Sequence, residues 1–405
     1  MGRTREKPSP APGNVQTLVL CLATEALEAD IWTNKQHLMT RLSQRAGYFV
    51  IYVDQGMSTR EIRKALRSRN WRYFIHPVRM AGENLLNVSP WFLPLIKGGA
   101  LKRIGWRLLG WYLRRRVSKI QRVKTVLWIY QPQAFYLLAH LELPEMVRLY
   151  DCVDDFKTQP FYNRHPKRRL ELENIETALL RELDAVIATS PDLYEKKRKQ
   201  HSNVHLIHNV GDFEHFNHPP EIDSHRYLDP LVHPAVMYAG VVDDYKLDLD
   251  LIDQLAVGLP DFHFYYIGPV RVKQKQALFS RLRQHTNVHF PGYVPYQDLP
   301  ALLHQAEILL FPYALNEHTR HVFPIKLFEG LATGRYIVAK QLPSYREYYS
   351  YFATFNTPDE AKAQIAAYGK DTGRDERIRV ARQNNWDARL QKILNVIDQH
   401  QEKGL

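Results

Sequence analysis

Short apolar runs alternate with helical patterns along most of this chain. "TLVLCLA" leads into the helical "NKQHLMTRLSQRA", and "YFVIYVD", "TVLWIYQ", "VRLYD" and "AVIATS" follow at intervals. These runs have strand length, are rich in Val, Ile, Leu and Tyr, and are spaced by helix-like sequence. That rhythm predicts a parallel sheet covered by helices. It stops over residues 212–234, a stretch rich in Pro, Asp and His with no periodicity, which reads as a linker. It restarts with "AVMYAGV" and continues through "FHFYYIG", "VHFPGYV", "ILLFPY" and "YIVAK". The pattern predicts an α/β protein of two Rossmann-like, doubly wound parallel-sheet domains facing a cleft, residues 14–212 and 233–375, joined by 213–232. "RIRVARQNNWDARLQKILNVIDQH" predicts a helix of its own within 376–405. Sites in such sheets lie at the carboxyl ends of the strands.

Length agrees with this division, because 405 residues are too many for one ordinary core. Two cysteines, Cys21 and Cys152, exclude a disulfide framework or a cysteine zinc site and fit a reducing cytosol. No run approaches the roughly 18 apolar residues of a membrane span. Residues 1–13 are basic and proline-rich and read as a disordered leader, because Pro8, Pro10, Pro12 and Gly13 separate the basic start from the apolar run that follows.

The formal charge of +12 is unevenly spread. Residues 97–124 hold ten Lys or Arg and no acid, with Trp106, Trp111 and Tyr112 interleaved among Leu101, Ile104, Leu108 and Leu113. A basic amphipathic helix with aromatics suits an anionic bilayer, and Arg103, Trp106, Arg107, Trp111, Arg114 and Arg115 are the expected contacts. Nucleic-acid binding and a core helix with a solvated basic face remain weaker readings of the same stretch.

The chain has neither G-x-G-x-x-G nor G-x-x-x-x-G-K-[ST], so dinucleotide and P-loop chemistry lose their main support. Residues 311–339, "FPYALNEHTRHVFPIKLFEGLATGRYIVA", predict a strand, a polar loop, and a helix opened by Pro324 and ended by Gly334. Free amides at the helix start, with Thr319, Arg320 and Lys326, would seat a pyrophosphate, and Glu329 one turn on would accept ribose hydroxyls. A surface helix with an i,i+3 ion pair explains the same residues. "LYDCVDDF" crowds Asp151, Asp154 and Asp155 at the end of a strand. They read either as a polar loop with a helix cap or as an active site, because repulsion among three carboxylates costs free energy unless something offsets it. Most of the histidines read as surface or structural; His37, on the helix after the first strand, is expected to border the cleft.

The segment "P-x-K-x-x-E-x-x-A-x-G" at 324–334 resembles the sugar-nucleotide-binding segment of GT-B glycosyltransferases. "DIWTNKQHLMTRLSQ", "VLWIYQPQ", "LYDCVDDF", "AVIATSPDLYEKKRK", "VHLIHNVGDFEHF", "VMYAGVVDDYKLDLDLI" and "FYYIGP" fall in the order and spacing of the teichuronic-acid type, and the arrangement is similar to exopolysaccharide glucuronosyltransferases. The resemblance implies transfer of a sugar from a nucleoside-diphosphate sugar to a glycan or lipid-linked acceptor in bacterial-type polysaccharide biosynthesis. The enzyme would sit peripherally at the inner face of the plasma membrane. The donor half would use Lys326, Glu329, Thr319, Arg320, Pro324 and Gly240. His37 and Asp151 would lie on the acceptor side, and the last helix would cross back to the first domain. Asp154 matches the general base of the inverting exopolysaccharide enzymes, with Asp155 beside it, and repulsion from Asp151 and Asp155 would raise its pKa and make it a better base. Retaining families carry a glutamate where this chain has His321, and Arg and Lys where it reads "GVVDDYK" with only Lys246. No cofactor or metal is expected, because the Asp-x-Asp metal motif belongs to another glycosyltransferase fold. Two rival readings are a nucleotide-sugar epimerase, which needs no acceptor, and a non-catalytic scaffold of a glycan-assembly complex.

Overall fold

The computed structural model describes residues 15–29, 32–54, 67, 78–90, 99–117, 123–141, 143, 145–228 and 231–402; the predicted leader lies outside them. The first sheet contains β1 (Thr17–Leu22), β2 (Tyr48–Val53), β3 (Val78–Gly82), β4 (Leu85–Val88), β5 (Lys124–Ile129), β6 (Met146–Cys152), β7 (Ala185–Ala188) and β8 (Val204–Leu206). Their order is β3-β4-β2-β1-β5-β6-β7-β8. Every residue of central β1 is buried, because helices cover both faces. The sheet is not wholly parallel as predicted. β3 pairs antiparallel with β4, and the turn Glu83–Asn84 is too short for the crossover a parallel pair needs.

The second sheet contains β9 (Ala235–Ala239), β10 (His263–Ile267), β11 (Val288–Gly292), β12 (Ile308–Phe311), β13 (Tyr336–Lys340) and β14 (Ala353–Phe355), in the order β11-β10-β9-β12-β13-β14. All of its pairs are parallel. Between the sheets, Phe213–Asn217 forms a short helix with Phe213 and Phe216 buried, so two aromatics anchor part of the stretch that read as aperiodic.

Four helices frame the cleft and the basic surface: α1 (Asn34–Ser43), α2 (Gly99–Val117), α3 (Lys326–Thr333) and α4 (Trp386–Glu402). Gly334 ends α3 at φ 70°, a left-handed position that glycine takes without steric cost. The single C-terminal helix expected from the pattern is two, Arg374–Gln383 and α4. Asn384 and Asn385 divide them. The Asn385 side chain accepts from the Ala388 amide at 2.9 Å, as a helix cap does, and Asn385 bridges to Gly211. α4 packs on α1, β6 and β7, so the end of the chain lies against the first sheet.

Candidate active site

The strand ends of the two sheets converge on one cavity of about 370 Å³. Its N-terminal wall carries Glu25, Trp32, Thr33, Asn34, Lys35, Val153, Asp154 and Asn209. Its C-terminal wall includes Gly240, Lys246, Pro324, Lys326 and Glu329.

The three carboxylates at the end of β6 have separate fates. Asp151 is still within the strand and is fully buried, and its two oxygens accept from Arg389 of α4 at 2.9 and 3.2 Å. The expected acceptor-side role of Asp151 is corrected: both its oxygens hold the C-terminal helix. Asp155 pairs with Lys196 of the helix Pro191–Lys197. Burial alone would raise its pKa, but the Lys196 hydrogen bond and charge hold it below the ordinary range. Asp154 is left half-buried at the cavity, with its pKa pushed up to about 6. Burial is the main cause, opposed by Lys35 and Lys246. Repulsion from Asp155 contributes less than burial, Lys35, Lys246 and Glu25, and Asp151 is paired with Arg389, so the expected repulsive origin of the shift is also corrected.

His37 does not line the cavity. It is buried against Trp386, with stacked rings 4.7 Å apart, and burial pushes its pKa down to about 3. The reason is helix phase: two residues along a helix turn a side chain by about 200°. Asn34 and Lys35 in the first turn of α1 meet the cavity instead. Lys35 pairs with Glu25 at 2.6 Å. Neither residue carried a motif; their place at the start of "NKQHL" was the only signal.

On the C-terminal wall, Lys326 opens α3 and Glu329 follows one turn later. Among the described residues neither side chain has a hydrogen-bond or ion-pair partner. Burial lowers the pKa of Lys326 and raises that of Glu329. The first amide of this turn with a backbone acceptor belongs to Leu327. Two glycines make room for the helix start. A Cβ at Gly240 would stand 2.5 Å from Lys326 Cε, and one at Gly211 would stand 2.7 Å from the Glu329 amide nitrogen. Lys246, which the sequence marked only as the basic residue left after the strand, also lines the cavity.

Thr319 and Arg320 do not line it, which corrects the donor set. The Asn316 side chain accepts from the amides of His318 and Thr319 at 2.9 and 3.0 Å, folding the loop on itself. Thr319 is buried and donates its hydroxyl to Ala314 O at 2.5 Å, while Arg320 points to solvent. His321, at the glutamate position of the retaining pattern, lies 3.6 Å from Asp192 and away from the cavity. Among the described residues no three His, Cys, Asp or Glu side chains form a metal-binding group.

Away from the cleft, α2 divides its aromatics. Trp106 is buried with Leu109, Leu113 and Val117 in the core, so its expected membrane contact is corrected. Ile104, Leu108 and Trp111 are 48%, 55% and 59% exposed and form one stripe beside exposed Arg107, Arg114 and Arg115. The Arg115 guanidinium lies 5.5 Å from the Trp111 ring. The side chain of Arg103 lies outside the described residues. No helix among them is long and apolar enough to cross a membrane.

Solved structures share this architecture. Sucrose-phosphate synthase from Thermosynechococcus elongatus matches with a TM-score of 0.69 at 14% identity, over 95% of this chain and 98% of that one. Anabaena Alr3699/HepE, solved in complex with UDP, matches with a TM-score of 0.67 at 13% identity, over 95% and 100%. The fold is GT-B. A family model described as glycosyl transferase-like matches residues 249–395. TuaH of Bacillus subtilis (strain 168), assigned to teichuronic acid biosynthesis as a glycosyltransferase, is 26% identical over 284 residues, covering 66% of this chain and 70% of its own. The chain is a glycosyltransferase, and its resemblance to the teichuronic-acid type is matched by that relative.

Proposed function

We propose that the chain transfers a sugar, with inversion, from a nucleoside-diphosphate sugar to a hydroxyl of a glycan or lipid-linked acceptor in polysaccharide biosynthesis. The observation that carries this reading is a single cavity with Asp154 on one wall and Lys246, Lys326 and Glu329 on the other. Asp154 takes the proton of the acceptor hydroxyl, whose oxygen attacks the anomeric carbon. The bond to the nucleoside diphosphate breaks on the opposite side of that carbon. Lys326, Lys246 and the open amides at the start of α3 stabilise the departing phosphates. Glu329 accepts hydrogen bonds from the ribose. No step is assigned to a metal.

The UDP bound to HepE makes UDP-sugars the first donors to test. Calorimetry with UDP-, GDP- and dTDP-sugars should find one that binds at micromolar levels, and turnover should require an acceptor. Binding of none would overturn the reading, and donor turnover to a free epimer without acceptor would replace it with epimerase chemistry. The reading extends to a membrane's inner face through α2, whose exposed apolar stripe lies among arginines.

A further inference from the structure

Six charged side chains line the cavity among the described residues, and they divide unevenly. The C-terminal wall has two lysines, Lys246 and Lys326, against one carboxylate, Glu329. The N-terminal wall has one lysine, Lys35, against two carboxylates, Glu25 and Asp154. Lys35 is committed: it is 4% exposed, its ammonium lies 2.6 Å from Glu25, and it sits 5.5 Å from the Tyr130 ring. The rest of this wall is uncharged, with the Trp32 ring, the Thr33 hydroxyl and the amides of Asn34 and Asn209.

We infer that the acceptor unit seated on the N-terminal wall is a neutral sugar, and that the Glu25–Lys35 pair turns away acceptors carrying a carboxylate or phosphate there. The inference rests on the glycosyl-transfer reading. A phosphate needs a free cation or a cluster of amides, and this wall offers it two carboxylates and an ammonium already engaged. A neutral sugar needs an aromatic face and neutral hydrogen-bonding groups; Trp32 supplies the first, and Thr33, Asn34 and Asn209 supply the second with the capacity left beside their own bonds, Thr33 Oγ1 to Gln36 Oε1 at 3.0 Å, Asn34 Nδ2 to Asn209 Oδ1 at 3.5 Å and Asn209 Nδ2 to Phe323 O at 3.1 Å. The wall therefore suits extension of a saccharide already in place. A separate reaction, transfer of the first sugar onto its carrier, must supply that acceptor.

The test uses the full chain saturated with UDP and three probes: methyl β-D-glucoside, methyl β-D-glucuronide and farnesyl phosphate, the last two measured by competition with the glucoside. The glucoside should bind, and the two anions should bind at least about tenfold more weakly. Glu25→Gln, which releases Lys35, should improve the glucuronide about tenfold relative to the glucoside. Trp32→Ala should weaken the glucoside without changing UDP affinity. A wild type that prefers either anion, or takes no glucoside, overturns the inference; so does a folded Glu25→Gln protein with no gain. Failure of UDP to bind would strike the glycosyl-transfer reading itself, and this inference with it.

Discussion

At the end of β6, Asp151 is met by Arg389 and Asp155 by Lys196, and nearby Lys35 is met by Glu25. Across the cleft, Lys246, Lys326 and Glu329 have no ion-pair partner among the described residues, although all three line the same cavity. Both walls are ends of parallel sheets, so the fold alone does not explain the contrast. A buried charge is tolerated when a partner offsets its desolvation. A charge left without one at a cavity is a candidate for a ligand or for chemistry. Asp154 sits on the paired wall but belongs with the unpaired set, three residues from Asp151.

The sharpest way to break this comparison is to neutralise the two aspartates separately. Asp154→Asn should lower kcat by roughly 10²–10⁴-fold, with donor affinity and unfolding midpoint unchanged. A nearly fully active variant would remove Asp154 from the mechanism. Asp151→Asn should instead cost about 3–5 kcal/mol of stability in urea unfolding, because it strands the Arg389 guanidinium in the core. A midpoint near wild type would show that the clasp is not structural.

Across the cleft, Lys326→Ala should weaken binding of the free nucleoside diphosphate by about 1.5–3 kcal/mol, the worth of a charge-assisted contact, and leave folding intact. Unchanged affinity by calorimetry would move the phosphates elsewhere. The pH profile sharpens the contrast further. A base works only when ionised, and burial has raised the pKa of Asp154 to about 6. kcat/KM should therefore be flat above that value and fall about tenfold per unit below it. Lys35→Met, which removes a positive charge that favours the carboxylate, should move this limb to higher pH. An acid limb near 4, the ordinary range for an aspartate, would exclude Asp154 as the titrating group.

The smallest effect concerns α2. Trp111→Ala should leave stability near wild type and reduce only the part of anionic-liposome pelleting that survives high salt, since apolar burial does not depend on ionic strength. Unchanged high-salt pelleting would show that the exposed stripe does not insert.

What was legible in the sequence was what local pattern determines. The central strands of both sheets read as unbroken apolar runs because helices cover both their faces. Lys326 and Glu329 were found because Pro324 and Gly334 mark the limits of their helix. What was not legible depended on distant or rotational facts. Asp151 is removed from the cleft by Arg389, 238 residues later in the chain. His37 was placed on the wrong side of α1 by two residues of helix phase. Thr319 and Arg320 look like phosphate ligands until Asn316 folds their loop inward. Trp106 and Trp111 are equally aromatic, but five positions rotate a helix by about 140°, which sends one to the core and the other to solvent. The β3–β4 hairpin was missed because its strands are short and its two corner residues are Glu83 and Asn84 rather than Asn-Gly or Asp-Gly.

The clasp between Arg389 and Asp151 also limits how the molecule can be dissected. A cut between the two sheets would not release two self-sufficient halves. The first piece would leave the Asp151 carboxyl in its interior without its Arg389 partner, and the surface of α1 that receives α4 would be bare. The second would carry α4 with Trp386, Arg389, Leu390 and Ile393 facing water in place of their buried setting. Such fragments should be soluble only when produced together, held by a helix encoded with one half and housed in the other.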